Sequence, residues 1–378
     1  MPQLRYFTAG ESHGQCLIGV VEGLPAGLKL DLDTINHDLA RRQKGYGRGG
    51  RMKIESDAAE ILSGVRHGET IGSPVTLTVR NKDFKINELP AVTKPRPGHA
   101  DLAGVIKYDR QDARDILERA SARETTMRVA LGAVCKLLLA EVGIDIVGHL
   151  VALGPVVANT DGLTLQQIRE RSEASETRCA DPEAERKMIE AIDAAKGQCD
   201  TLGGVFEVVA TGCPIGLGSH VQWDRKLDAN IARALMSIQA IKGVETGIGF
   251  EAARRFGSQV HDEILPAERG VLTRASNNAG GFEGGMTNGQ PVVVRGAMKP
   301  ISTLGKPLKS VDLNTKESSE AGWERSDISA ISAASVVMEN VIAFEIARAF
   351  LEKFGGDSIV EVRTNYDNYL ATARRLPL

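Results

Sequence analysis

Residues 328–354 read ISAISAASVVMENVIAFEIARAFLEKF, the clearest long helical pattern in the 378-residue chain. The apolar spacing predicts one helix across this stretch. Gly355 and Gly356 follow Lys353, and glycine directly after a basic last turn is a typical helix stop. The sequence therefore predicts a long apolar helix near the end of the chain.

Further helix-like and strand-like runs alternate on the N-terminal side of this helix. The other helical runs are residues 112–142, 165–174, 181–196 and 227–242. The strand-like runs are residues 15–21, 52–62, 75–79, 144–153, 205–210, 291–295 and 359–362. No repeat and no Pro/Ser-rich linker divides them, so we predict one α+β domain over residues 1–378. The charged residues 158–200, where Asp181 and Pro182 begin a helix, are predicted to form a helical surface insertion.

The composition is that of a globular protein with few aromatic residues. Hydrophobic residues make up 42% of the chain, charged residues 25% and aromatic residues 4%. The N-terminal stretch lacks the features of a signal peptide, and no apolar run approaches the length of a membrane span, which favours a cytoplasmic protein that binds no membrane. The five cysteines are odd in number and widely spaced, which favours reduced thiols and disfavours a metal site.

Residues 41–53, RRQKGYGRGGRMK, carry six cationic side chains and no acidic one. Gly45, Gly47 and Gly50 match G-x-G-x-x-G, but a helix-like segment precedes them and a strand-like one follows, the reverse of a dinucleotide site. A nucleic-acid partner is disfavoured because the isoelectric point is near 6.2 and aromatic residues are few. The stretch favours binding of a small polyanion, with a solvated loop as the alternative.

Two other loops each carry a histidine. Residues 10–14, GESHG, match the G-x-S-x-G of a hydrolase nucleophile elbow, but the strand-like QCLIGVVEG follows where the elbow requires a helix. Ser12 and His13 therefore remain as polar candidates without the hydrolase assignment. Residues 94–101, KPRPGHAD, place Arg96 and His99 in a loop with two prolines, which suits a rigid polar site or a plain surface turn.

Three more segments could contact anions. Arg119 and Arg123 in RASARETTMR are spaced to reach one anion together, or to pair with Glu118 and Glu124. Residues 277–290, NNAGGFEGGMTNGQ, hold five glycines whose backbone N–H groups a phosphate could approach. Residues 325–327, RSD, precede the long helix, where the serine or the aspartate could instead be the N-cap.

Taken together, these segments resemble the chorismate synthase family in sequence and in order. The segments that carry the resemblance are GESHG, RRQKGYGRGGRM, RPGHAD, RASARETTMRVA, GVETGIGF, NNAGGFEGGMTNGQ, KPIST and RSDISA. The resemblance implies a β-α-β sandwich with helices packed between antiparallel sheets, and a homotetramer. It also implies the anti-1,4-elimination of phosphate from 5-enolpyruvylshikimate 3-phosphate to give chorismate, a step of the shikimate pathway that uses reduced FMN.

The resemblance further implies a set of site residues. The implied catalytic residues are His13, which acts on the departing phosphate, His99, which lies near N1 and O2 of the flavin, and Asp327, which assists flavin N5 in removing the C6 proton. The implied substrate-binding residues are Ser12, Arg42, Arg48, Arg51, Arg96, Ser121, Arg123 and Arg325. The implied FMN-binding residues are Arg119, Ala120, Ser121, Gln239, Ala240, Gly284, Lys299, Pro300, Ile301, Ser302, Thr303 and Arg325.

Two points of this assignment stay open in the sequence. Gln239 stands where other members of the family have asparagine, so its amide reaches one methylene further. Arg42 and Arg48 could serve NADPH instead of the substrate, although the failed dinucleotide motif favours the substrate. The sequence leaves open whether NADPH or an external reductase reduces the flavin.

Overall fold

The computed structural model of the chain describes residues 4–49, 56–266, 272–324 and 326–373. The helices in these ranges are α1 (Leu32–Gln43), α2 (Asp101–Lys107), α3 (Arg114–Ala120), α4 (Thr125–Ala140), α5 (Leu165–Ala174), α6 (Pro182–Gly197), α7 (Leu227–Met236), α8 (Ile331–Phe354) and α9 (Ile359–Ala373). The strands of the two larger sheets are β1 (Arg5–Ala9), β2 (Cys16–Glu22), β3 (Ala59–Ser63), β6 (Val75–Arg80), β7 (Asp145–Leu153), β8 (Val156–Val157), β9 (Gly204–Thr211), β10 (Ile241–Thr246) and β15 (Val292–Met298).

Shorter strands form four two-stranded ribbons. These are β4 (Val65–Arg66) with β5 (Glu69–Thr70), β11 (Ile264–Pro266) with β12 (Leu272–Arg274), β13 (Phe282–Glu283) with β14 (Met286–Thr287), and β16 (Lys309–Val311) with β17 (Ser318–Glu320).

The larger strands form two antiparallel sheets. One sheet has the order β1-β2-β6-β3, and the other has the order β10-β15-β9-β7-β8. In β2 every second residue is buried, starting with Leu17, as expected for a strand with one face toward a core. Val75 in β6 pairs with Val21 in β2, which brings two buried side chains together on that face.

Helices fill the space between the two sheets. Helix α4 packs on β2 and β6, α8 packs on β7 and β9, and the two helices pack closely against each other, with α1 and α7 alongside. Small residues permit this close packing: a Cβ on Gly19 would lie 2.9 Å from the Leu131 side chain, and one on Gly132 would overlap the Asn340 carbonyl oxygen. The α+β sandwich implied by the resemblance is confirmed.

The long helix predicted from residues 328–354 is confirmed as α8, which begins three residues later than the predicted start. It ends at Gly355, whose φ of 52° is in the left-handed region that glycine adopts easily. Ala330 is its N-cap, so the interpretation of Ser326 or Asp327 as the cap is wrong.

Three element predictions need correction. The predicted helix 112–142 is interrupted at Ser121, whose ψ of 142° is extended, so α3 and α4 are separate. The predicted helix 227–242 ends at Met236, because the chain turns there to enter β10, which pairs with β15. The predicted strand 359–362 is the first turn of α9, since Ser358 Oγ accepts from the backbone N–H of Glu361 and the Glu361 carboxylate accepts in return from the N–H of Ser358.

A group of charges, most of them buried, joins several elements, and we call it the Arg41 cluster: Asp38, Arg41, Lys136, Glu173, Arg178 and Glu339. Arg41 donates from Nη1 to Glu339 at 2.8 Å and to Asp38 at 2.6 Å, and its Nη2 donates to Glu173 at 2.5 Å. Burial alone would raise the pKa of Glu339, but Lys136 and Arg41 hold that pKa far below its usual range. The cluster therefore keeps its carboxylates ionised inside the core.

The predicted insertion 158–200 contains α5 and α6, and Asp181 caps α6 as predicted by accepting from the N–H of Glu183 at 3.0 Å. Met188 and Ile192 of α6 belong to the main hydrophobic core. The extent of the domain and of the insertion stays a prediction. Among the helices of the described ranges, none combines the length and apolarity that a bilayer crossing requires.

Candidate active site

His13 lies in the turn between β1 and β2, and several contacts fix its position. Its ring Nδ1 is 2.9 Å from Glu118 Oε1, and its backbone N–H donates to Glu118 Oε2 at 2.7 Å. The neighbouring Ser12 N–H donates to the Glu118 carbonyl at 2.9 Å. A strand follows this turn, as the sequence predicted, so Ser12 does not begin a helix.

The interruption between α3 and α4 brings three predicted residues to the same turn. Ser121 Oγ donates to Ser12 Oγ at 3.2 Å and accepts from the Arg123 N–H at 3.2 Å. Arg119, near the end of α3, donates to the carbonyl of Gly10 at 2.9 Å and to that of Thr8 at 2.8 Å. Arg119 therefore supports the turn that carries Ser12 and His13.

Three arginines lie close together beside this turn. Arg123 donates to both oxygens of the buried Asp57, at 2.6 and 2.8 Å, and Arg42 Nη1 lies 3.6 Å from the same carboxylate. Arg48 Nη1 donates to the Arg42 carbonyl at 3.2 Å. Burial, opposed by Asp57 and reinforced by the charges of Arg123 and Arg48, lowers the pKa of Arg42 to about 10. The free energy of this group of cations would fall if an anion bound to it.

Asp327 connects these arginines to the Gly-rich loop after α1. Its Oδ1 accepts from the Gly49 N–H at 2.5 Å, and its Oδ2 lies 3.0 Å from Arg48 Nε. The Gly47 carbonyl accepts from the Ile328 N–H at 2.8 Å, and Gly47 has a φ of 79°. A Cβ on Gly49 would come within 2.9 Å of the Ser326 carbonyl, so glycine permits the close approach.

His99 and Arg96 share one carboxylate, that of Asp101 at the start of α2. Arg96 Nε donates to Asp101 Oδ2 at 2.8 Å, and His99 Nδ1 lies 2.5 Å from Asp101 Oδ1. Burial would raise the pKa of Asp101, but hydrogen bonds from His99 and Arg96 hold that pKa well below its usual range. Arg96 Nη1 also donates to Thr303 Oγ1 at 3.0 Å, which joins this loop to the KPIST segment.

Gln239 and Ala240 connect the two histidine loops. The Ala240 carbonyl accepts from the Lys299 N–H at 3.0 Å, and Lys299 Nζ donates to the Gly98 carbonyl. Gln239 Nε2 donates to Glu124 at 3.3 Å, and Thr8 Oγ1 donates to the same carboxylate at 2.8 Å. Ala240 has a φ of 67°, a strained value for a residue with a Cβ.

Some predicted residues lie at the edge of this network or beyond it. Ala120 is the last residue of α3, and the side chain of Ser302 lies close to Gly98. Pro300 and Ile301 follow Lys299, and the Ile301 carbonyl accepts from Thr201 Oγ1 at 2.8 Å. Gly284 lies in the β13–β14 turn beside His220 and Met286, which are not in the predicted set. Arg51 and Arg325 lie outside the described residues.

The sequence did not identify Glu118 as the partner of His13 or Asp57 as the partner of Arg123. The proposed pairing of Arg119 and Arg123 with Glu118 and Glu124 is wrong, because Glu118 binds His13 and Glu124 pairs with Arg128 at 3.0 Å. Asp57, the partner of Arg123, lies 66 positions away in the chain. No local motif marks such a pair in a single sequence, although a buried arginine generally requires an anionic or hydrogen-bonding partner.

Comparison with known proteins identifies the family of the chain. A sequence model described as chorismate synthase matches residues 4–351. The chain is 58% identical to a chorismate synthase of Geobacter metallireducens, over 97% of this chain and 98% of the other. It is 57% identical to a chorismate synthase of Enterococcus faecalis, over 97% and 98% of the two chains.

A solved structure has the same fold. It is titled "Crystal Structure of Chorismate Synthase" and matches with a TM-score of 0.81 and 47% identity, covering 99% of each chain. The extent of these matches, together with the contacts among the motif residues, shows that the chain belongs to the chorismate synthase family.

Proposed function

We propose that the loops around His13, His99 and Asp327 form the active site for the family reaction in this chain. That reaction makes the protein a carbon–oxygen lyase acting on phosphates, which converts 5-enolpyruvylshikimate 3-phosphate to chorismate in the shikimate pathway. The observation that carries the residue assignment is the group of Arg42, Arg48 and Arg123 next to Ser12 and Ser121.

The substrate has two carboxylates and one phosphate, and guanidinium groups bind such anions through paired N–H donors. Arg42 Nη1 is buried and lacks a hydrogen-bond partner among the described residues. A buried donor of this kind favours an anionic ligand, because an unmade hydrogen bond there is costly. Arg42, Arg48 and Arg123 are therefore proposed to bind the anionic groups, with Arg96, Ser12 and Ser121 contributing further donors.

The residues around Gln239 fit a flavin. Gln239 Oε1 is a buried acceptor that lacks a partner in the described part of the chain. The isoalloxazine ring of FMN carries N–H donors, and the phosphate of FMN suits the basic residues Lys299 and Arg119. We therefore propose that FMN is held by Arg119 to Ser121, Gln239, Ala240 and Lys299 to Thr303, with Gly284 as a more distant member. The reduced flavin supplies electron density as phosphate leaves.

The protein groups are proposed to orient the substrate and to move protons. His13 is proposed to give a proton to the departing phosphate, because a histidine can donate or accept near neutral pH. His99, oriented by Asp101, is proposed to stabilise the charge of the reduced cofactor. Asp327 is proposed to help move the C6 proton away from the ring, as a carboxylate adjacent to Arg48.

The decisive experiment is anaerobic incubation of the protein with 5-enolpyruvylshikimate 3-phosphate and chemically reduced FMN. We expect the absorbance of chorismate to appear, and we expect none with FMN left oxidised. Failure to form product with the flavin demonstrably reduced would overturn the proposal. A parallel reaction with NADPH and oxidised FMN determines whether the protein reduces its own flavin. Homotetramer formation and a cytoplasmic location stay predictions of the family resemblance, the former testable by light scattering.

A further inference from the structure

We propose that Glu118 is a positioning residue that holds the ring proton of His13 on Nδ1, so that Nε2 is the nitrogen that exchanges a proton during the reaction. The inference rests on the proposed role of His13. It adds a residue that acts through His13 and determines which nitrogen of the ring reacts. Family motifs did not indicate Glu118, which the sequence suggested only as a partner for arginine.

The Glu118 carboxylate contacts both the backbone and the ring of His13. Its two carboxylate oxygens lie 2.9 and 3.1 Å from His13 Nδ1, and Oε2 also accepts from the His13 N–H at 2.7 Å. The backbone N–H groups of Lys85 and Ile86 both donate to the His13 carbonyl at 3.1 Å. The backbone of His13 is therefore hydrogen-bonded at both its N–H and its carbonyl. With the backbone fixed, the contact between Nδ1 and the Glu118 carboxylate sets the orientation of the ring.

The charge of Glu118 determines where the proton lies. Burial would raise the pKa of this carboxyl, but hydrogen bonds from His13 and then from Arg114 lower it below its usual value. An ionised carboxylate can only accept hydrogen bonds. The nitrogen beside it must therefore be the one that carries the proton, and in a neutral imidazole the other nitrogen is then the acceptor.

The environment of the other ring nitrogen differs. His13 Nε2 lies 3.8 Å from Asp83 Oδ2, a distance that permits charge attraction but is longer than a hydrogen bond. Asp83 also pairs with Lys85, at the shorter distance of 2.6 Å. One nitrogen of His13 is thus committed to a buried carboxylate, and the other is available to exchange a proton, the division of roles that a general acid or base requires.

Nuclear magnetic resonance of the full-length protein with 15N-labelled histidine tests this directly. His13→Ala identifies the His13 signals by their loss. In the wild type we expect the neutral ring to carry its proton on Nδ1. A neutral ring protonated on Nε2 would overturn the proposal without the need for any variant at Glu118.

Glu118→Gln then removes the charge with little change in shape. The amide can donate as well as accept, so we expect a mixture of the two ring tautomers, a kcat lower by roughly 10-fold to 100-fold, and a displaced pH profile. Glu118→Asp keeps the carboxylate and should retain the Nδ1 proton. An unchanged His13 tautomer and an unchanged pH profile in a folded Glu118→Gln protein would overturn the proposal.

Glu207→Gln provides the matched control. Glu207 is another buried glutamate beside a histidine, with Oε1 3.2 Å from His149 Nε2, in the five-stranded sheet. This variant should change the His149 signals and leave the His13 tautomer and kcat as in the wild type. Because the tautomer is measured without substrate, it can support or overturn the role of Glu118 even if chorismate formation fails.

Discussion

At the scale of single residues, two site side chains, Arg123 and His13, are held by carboxylates that are distant in sequence. Local basic and Gly-rich motifs, together with the family resemblance, predict that Arg42, Arg48, Arg96 and Arg123 bind anions, and this stays a prediction. The sequence could not predict Asp57 as the partner of Arg123, 66 positions away, because no single-sequence pattern reports a long-range ion pair. Nor could it predict Glu118, whose contact to His13 joins positions 105 apart.

Replacement of Arg48 tests the substrate role of the arginines. Arg48→Ala should raise the Kd of 5-enolpyruvylshikimate 3-phosphate by about 10-fold to 100-fold, the loss expected for a hydrogen bond to a charged group. Binding is measured by calorimetry. Arg186→Ala, which removes an exposed arginine paired with Glu190, is the control and should leave the Kd unchanged. An unchanged substrate Kd with lost NADPH binding would favour the alternative assignment.

Replacement of His99 tests the second histidine. His99→Ala should lower kcat by about 10-fold to 10,000-fold, around the range expected when a proton-transfer or charge-stabilising group is lost. The matched control is His67→Asn, because His67 is exposed with a φ of 51° that asparagine tolerates. Turnover like that of the wild type in His99→Ala, measured anaerobically with reduced FMN, would contradict the assignment.

At the scale of elements, the spacing of apolar residues within one segment predicted several helices and strands correctly. Strand β10, whose conformation depends on pairing with a distant strand, was not predicted. The spacing of apolar residues correctly predicted α8, α5 and β2, whose periodicity is local. The stretch after Met236 continued to look helical, yet it forms β10, since pairing with β15 prevails over local propensity there. The capping box of Ser358 and Glu361 was a local signal for α9 that the β-branched run 359–362 obscured.

The contact between α4 and α8 is sensitive to a single methyl group. Gly132→Ala should lower the free energy of unfolding by about 1 to 3 kcal/mol, because the added Cβ meets the Asn340 carbonyl in a packed core. Gly197→Ala, at the end of α6, is the control: an added Cβ there meets nothing within 4 Å. It should be neutral or stabilising by up to about 1 kcal/mol. Denaturant unfolding measures both, and equal effects would contradict the packing argument.

At the scale of the whole molecule, the Arg41 cluster connects α1, α4, α5 and α8 and the strand β7. Glu339 is central, because it accepts from Arg41 and also from the Gly148 N–H at 3.0 Å. The same helix α1 carries Arg42, so the cluster fixes the helix from which a site arginine extends. The sequence showed these charges but not their burial, which arises only when the helices pack together.

The cluster predicts how stability depends on pH. The folded-state pKa values of Glu339 and Asp38 lie below their usual values, so each stabilises the fold above its unfolded pKa and loses that contribution as pH falls. The free energy of unfolding should therefore fall progressively as the pH drops below about 5, and it should continue to fall toward the low folded-state pKa values of the two carboxylates. Glu339→Gln should cost about 3 to 5 kcal/mol at pH 7, since it leaves buried cations without their partner, and should reduce this acid sensitivity.

Denaturant midpoints at several pH values measure both effects. Glu190→Gln is the control, because its ion pair with Arg186 is exposed and should contribute less than about 1 kcal/mol. A Glu339→Gln protein with wild-type stability at pH 7 would show that the buried charges are not coupled as the structure indicates.

Asp327 contacts two groups at once, the backbone of the Gly-rich loop and the guanidinium of Arg48, and this has a structural consequence. The carboxylate accepts from the Gly49 N–H while it lies against Arg48, so one side chain sets the position of both the Gly-rich loop and this guanidinium. Asp327→Asn would therefore weaken the contact with the Gly49 N–H and the contact with Arg48 in a single step, so the loop and the arginine would lose their common support together.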